Sequence, residues 1–176
     1  MWRQCCWLRH QSSRCRAESF RYFTGITIVV SILELTFMAL TSELEILNRV
    51  LRDLSGCFLQ YVGECWPWTA FGSDGNKQRN AVMQCVERQR QSIGLIASFL
   101  NPKQDRVEFG DFSTDYTDLH YVSLQFLVKR LVESQQKLVE SADRSLAQLS
   151  GAEAARIVMS TVVSNERANL VALQVP

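Results

Sequence analysis

Unequal connectors between four long amphipathic stretches constrain this chain more than any single motif does. Apolar residues recur at the three-and-four spacing of a helix face over about Leu40–Cys65 (Leu47, Val50, Leu54, Phe58, Tyr61, Cys65) and Lys77–Leu100 (Val82, Val86, Ile93, Ile96, Leu100). They recur again over about Thr117–Leu149 (Leu124, Val128, Leu131, Leu138, Ala142) and Ala152–Leu173. Thr41 or Ser42 can cap the first stretch and Pro67 ends it; Asn101-Pro102 stops the second, and Ser150-Gly151 parts the third from the fourth. The last link is only a few residues long and forces an antiparallel hairpin, and Pro67 to Asn76 is short enough to join antiparallel neighbours too. Asn101 to Tyr116 is different: it is polar, rich in turn formers, and at roughly 3.3 Å per extended residue it reaches ~50 Å. The helix it must pass is ~36 Å long at about 1.5 Å per residue. The expectation is an all-α fold, a four-helix bundle of two antiparallel hairpins joined by one long crossover between the second and third helices.

A chain of 176 residues suits one domain with a proper core. Lys+Arg 19 against Asp+Glu 18 leaves a net charge of +1, which gives no global field for nucleic acid or acidic lipid. Six cysteines are too sparse for a disulfide scaffold, and no CxxC or Cys/His cluster at zinc spacing occurs. Cys57, Cys65 and Cys85 lie on helical stretches and read as small buried hydrophobes. Residues 1–37 stand apart, with Trp2, Cys5, Cys6, Trp7 and Cys15 interleaved with Arg3, Arg9, Arg14, Arg16 and Arg21. A disordered or targeting extension, a membrane anchor over Thr24–Leu40, and a start assigned too early compete as explanations. Glu34, directly after the apolar run Ile26–Leu33, counts against an anchor, and no small-x-small cleavage site follows the run cleanly. Met38, just before the first well-formed helix, is the favoured start, which makes 38–176 the bundle of a cytoplasmic protein.

Glu166 sits in the middle of the apolar face of the last stretch, with Asn169 one turn on and Ala155, Val158, Met159, Val162, Leu170 and Leu173 around them. A carboxylate in a bundle core is costly unless it is paired, hydrogen-bonded or bound to metal. The other inward polar positions are Tyr61, Gln89 and Gln135, with Arg90 placed to swing in and pair with Glu166. Amides are poor ligands for redox iron but good donors to a carboxylate, so a metal-free polar layer that fixes helix register is the simpler account. The rival is a single weak metal held by Glu166 with Glu64 or Asp53. Glu133 precedes Glu166 by 33 residues, yet it falls among Lys129, Arg130, Lys137 and Glu140 on the wheel and reads as a solvated residue.

The run Leu47-Asn48-Arg49-Val50-Leu51-Arg52-Asp53-Leu54-Ser55-Gly56-Cys57-Phe58-Leu59-Gln60-Tyr61 resembles the first helix of bacterioferritins, with its Leu-Asn opening and Gln-Tyr pair. Glu166-Arg167-Ala168-Asn169 resembles the Glu-x-x-His of that family's last helix, with Asn in place of His. Over about residues 40–173 the chain is therefore similar to the ferritin-like superfamily of bacterioferritin and rubrerythrin-like bundles, with a degenerate di-iron site. That family needs a Glu from each of two helices and Glu-x-x-His from each of the other two. By this resemblance Leu54 stands at the inward place of one ligand Glu, and the second helix offers Gln89 flanked by Cys85 and Arg90. His10 and His120 are the only histidines, and neither follows a Glu by three residues.

The resemblance implies a non-catalytic ferritin-like bundle without a cofactor, a homodimer with a structural or protein-interaction role. The alternative is a metal-binding protein or oxidoreductase with an altered iron or manganese centre. Trp66, Trp68 and Phe71 in the first link either cap the bundle end or anchor a protein partner. No catalytic set is visible: there is no Gly-rich phosphate loop, nucleophile elbow or Ser/His/Asp arrangement.

Overall fold

A computed structural model describes residues 42–66, 73–102, 107–120, 122–149 and 151–174. The stretch 1–37 with the candidate start Met38, and Trp68 and Phe71, lie outside the described residues. Every regular element among the described residues is helical. In chain order these are α1 (42–55), α2 (Phe58–Glu64), α3 (Ser73–Leu100), a 3-10 turn (Thr114–Leu119), α4 (Leu124–Gln148) and α5 (Glu153–Gln174). No helix among them is long and apolar enough to cross a membrane.

The first expected helix is in fact two. Ser55 Oγ donates to the carbonyls of Leu51 (2.8 Å) and Arg52 (3.3 Å), a local bond that competes with the helical ladder. Gly56 N then closes α1 on Arg52 O at 2.9 Å. The long connector crosses at this break, where Gly110 N donates to Ser55 Oγ at 2.7 Å. A Cβ on Gly56 would lie 2.6 Å from the Asp111 carbonyl oxygen, and one on Gly110 would collide with that of Arg52. Two glycines thus let two backbones touch. Glu108 extends the strap, its N–H donating to Asn48 Oδ1 (3.2 Å) and its carboxylate pairing with Arg52. Cys65, expected inside, falls just beyond the end of α2 and is exposed.

The third expected helix starts later than Thr117. Residues Thr114–Leu119 form the 3-10 turn, and α4 begins only after Ser123, whose Oγ accepts from Phe126 N at 3.4 Å. Its buried face is Leu127, Leu131, Gln135, Val139, Ala142 and Ser145. Leu131 and Ala142 of the expected seam are on this face, whereas Leu124, Val128 and Leu138 are half-buried at its edges, because the face is centred on the line through Leu127, Leu131 and Gln135.

Two apolar clusters fill the interior. One gathers Leu47, Leu51 and Leu54 of α1 with Ile96, Leu100, Leu149, Met159 and Val162. The other gathers Phe58, Tyr61 and Val62 of α2 with Val82, Cys85, Val86, Leu127, Leu131 and Leu173. Gln89, Gln135, Glu166 and Asn169, all buried, lie between the two sets in sequence on α3, α4 and α5. Residue pairs fix the helix directions. Cys57 meets Gln89, Gly63 lies against Val86 and Trp66 against Arg79, while Arg88 meets Asn169 and Ser92 meets Asn165, so α3 runs antiparallel to both α2 and α5.

Candidate functional site

Glu166 is 0 % exposed, and its oxygen Oε2 is the focus of the layer. It accepts from Gln135 Nε2 (2.8 Å), Gln89 Nε2 (3.0 Å) and Asn169 Nδ2 (3.2 Å). Gln135 Nε2 also lies 3.2 Å from the Glu166 carbonyl oxygen, which ties α4 to α5 at one level. Three of the expected residues are thus brought together around the fourth, and each amide presents its N–H end to the carboxylate.

The carbonyl ends of two of these amides carry the second half of the arrangement. Asn169 Oδ1 accepts from Arg88 Nη1 at 2.8 Å. Gln89 Oε1 accepts from Gln60 Nε2 (2.9 Å) and from the Cys57 thiol (3.1 Å), and Gln60 Oε1 accepts in turn from Arg90 Nε at 3.4 Å. Two chains of amide dipoles therefore run from a guanidinium to Glu166, one through Asn169 and one through Gln60 and Gln89. Every dipole points the same way, oxygen towards the cation and N–H towards the anion. Hydrogen bonds aligned in this manner polarise one another and carry charge compensation to a site the cation itself does not reach.

Two expectations are corrected by this geometry. Arg90 is exposed and makes its ion pair with Glu64, so it meets Glu166 only through two bridging amides. The side chain is held outside by a carboxylate at the rim, where both partners stay solvated. Tyr61 is buried but belongs to another group: its hydroxyl bonds His120 Nε2, and its ring packs with Phe58, Phe112 and Tyr116. Because the helix breaks at Gly56, the frame that put Tyr61 into the layer does not continue through α2, and Gln60 takes the place instead.

Sequence reasoning also missed Arg88, Ser92 and the hydrogen bond of Cys57, whose burial it expected. The Ser55-Gly56 pair in mid-helix was the available signal for the break. Arg88 lies at helical spacing between Cys85 and Ser92, along the edge of α3 that faces Asn165 and Asn169 of α5. Burial pushes the Cys57 thiol up to about 12, with the Glu166 carboxylate acting in the same direction and hydrogen bonds opposing it. It is a buried donor to Gln89, unlike a reactive thiolate.

The donor set does not fit a binuclear metal centre. Glu64 pairs with Arg90 at the surface, Asp53 meets Ser141 Oγ at 3.4 Å, and neither bonds to Glu166. Glu133 is exposed and pairs with Arg130 at 3.0 Å. No group of three His, Cys, Asp or Glu side chains suited to hold a metal occurs among the described residues. Around Glu166 the amides offer N–H groups, which repel a cation. Trp66 packs on the second apolar cluster with the Arg79 guanidinium 5.3 Å from its ring centre. Against known proteins, the chain matches no family model, no curated protein and no solved structure, so its chemistry has to be read from these residues.

Proposed function

We propose that this chain is a non-catalytic four-helix bundle of ferritin-like architecture, whose buried polar layer is a structural element and which acts as a scaffold or protein-interaction module. One observation carries this reading: Glu166 Oε2 is saturated by three amide N–H donors, two of which, Asn169 and Gln89, turn their carbonyl ends to Arg88 and to the Arg90-bonded Gln60. The antiparallel pairing of α3 with α2 and α5, the short α4–α5 link and the long connector before α4 support two hairpins joined by a crossover. Assembly as a homodimer, a cytoplasmic location and a partner docking near Trp66 belong to the same proposal.

A second reading is favoured by one atom. Glu166 Oε1 is buried and has no hydrogen-bond partner among the described residues, and a lone pair left open in a core is what a single weakly held iron or manganese ion would use. Elemental analysis of the purified full-length protein separates the two. The expected result is protein without iron or manganese, whose folding is unchanged when iron is added. Near-stoichiometric metal that disappears in Glu166→Ala would overturn the structural reading.

A further inference from the structure

Away from the amide layer, a cavity of about 300 Å³ opens between the 3-10 turn and α4. That volume is at the lower end of the range for small-molecule sites. Its floor is apolar: the buried Phe58 ring, the Tyr116 ring 5.0 Å from it, and Leu119. Its rim carries charges of both signs from two separate elements. Arg130 and Glu133, one turn apart on α4, satisfy each other at 3.0 Å. Asp115 on the 3-10 turn and Lys137 on α4 also line the cavity, and neither has an ion-pair partner among the described residues. Asp115 is the chain neighbour of Tyr116 and lines the same cavity, and the Tyr116 phenol is pushed up by burial first, with Cys57 and Asp115 acting in the same direction.

We propose that this cavity binds a small amphoteric molecule of the α-amino-acid type, with its ammonium on Asp115, its carboxylate on Lys137 and an apolar side group on Phe58, Tyr116 and Leu119. The balance of the rim selects this class. A simple anion drawn to Lys137 meets Asp115 and Glu133 as like charges, and a simple cation drawn to Asp115 meets Lys137 and Arg130. Only a ligand carrying both signs satisfies both unpaired groups at once. The Ser134 hydroxyl on the same wall adds a hydrogen-bonding group beside Lys137. Because the charged groups are exposed, the affinity is modest, with a Kd of roughly 1–10 mM. The proposal is independent of what the amide layer does.

The test is a titration of the full-length protein with L-phenylalanine, followed by NMR shifts of the Tyr116 and Leu119 amides. N-acetyl-phenylalanine, which lacks the ammonium, and phenethylamine, which lacks the carboxylate, are the control probes. The expected result is a saturable shift with L-phenylalanine and binding about 3-fold or more weaker for each control. Asp115→Asn should abolish the preference over N-acetyl-phenylalanine, and Lys137→Ala the preference over phenethylamine. Both positions are exposed, so both variants should retain the helical circular dichroism of the parent. Absence of a saturable shift, equal binding of all three probes, or unchanged selectivity in folded variants would each overturn the proposal.

Discussion

The two halves of α5 bury their inner faces in opposite ways. The first half places Ala155, Met159, Val162 and Val163 against leucines and isoleucines of α1, α3 and α4, where any shape of the right volume satisfies the contact. The second half places Glu166 and Asn169 against Gln89, Gln135 and Arg88, where a shift of one residue would leave donors and acceptors unmatched. On the structural reading proposed above, the comparison is a division of labour: the apolar half supplies most of the stability, and the polar half fixes the register in which that stability is collected.

The sharpest way to break this comparison is Asn169→Leu, which removes a donor from Glu166 and the acceptor of Arg88 while keeping the branched shape and the number of side-chain heavy atoms. The expected loss is about 4 kcal/mol in urea unfolding, the scale for stripping a partner from a buried charge. A loss under about 1.5 kcal/mol, the cost of an ordinary volume-conserving swap, would show that the bridge through Asn169 compensates nothing. In the apolar half, Leu51→Ala should cost about 3 kcal/mol through transfer and cavity terms. Combined with Asn169→Leu it should add nearly without coupling, whereas Arg88→Ala combined with Asn169→Leu should fall well short of the sum.

A pH scan sharpens the contrast further. The folded Cys57 thiol is pushed up to about 12 from an ordinary value of 9.0. Between these values the unfolded chain has lost a proton that the folded chain keeps, so stability is full below about pH 9 and falls as pH rises towards 12. The total is of the order of a few kcal/mol, and Cys57→Ala should remove this alkaline loss. A scan that superimposes wild type and variant over that window would contradict it. The smallest effect is expected for Glu166→Gln, within about 1 kcal/mol, because removal of a buried charge offsets the weaker hydrogen bonds to an amide oxygen. A loss above about 3 kcal/mol would instead show that the arginine-to-carboxylate chains hold the layer together.

Much of the architecture was legible in the sequence because helical periodicity and stop signals are local. The run Val82, Val86, Ile96, Leu100 located α3, and Asn101-Pro102 located its end. Glu133 was correctly turned to solvent because facing on a wheel outweighs sequence spacing. Gln89, Gln135, Glu166 and Asn169 were placed inside for the same reason. The late start of α4 after the Ser123 cap is a local miss, whereas the misses around the layer are non-local. The break at Gly56 exists because the connector passes over it, and the bonds from Gly110 to Ser55 and from Glu108 to Asn48 join residues far apart in the chain. Once the break rotates α2, Gln60 replaces Tyr61 in the layer, and the partner of Arg90 becomes Glu64.

The uniform sense of the amide dipoles has a consequence for anyone grafting this layer elsewhere. Glu166 with Gln89, Gln135 and Asn169 forms a unit that is incomplete at its perimeter, since the oxygens of Asn169 and Gln89 end on Arg88 and on Gln60 with Arg90. Transplanting the inner quartet alone into a host bundle would import an electrical imbalance along with the hydrogen bonds. A portable version has to include both cationic termini, and a recipient helix pair without room for them at its edge is unsuited to receive it.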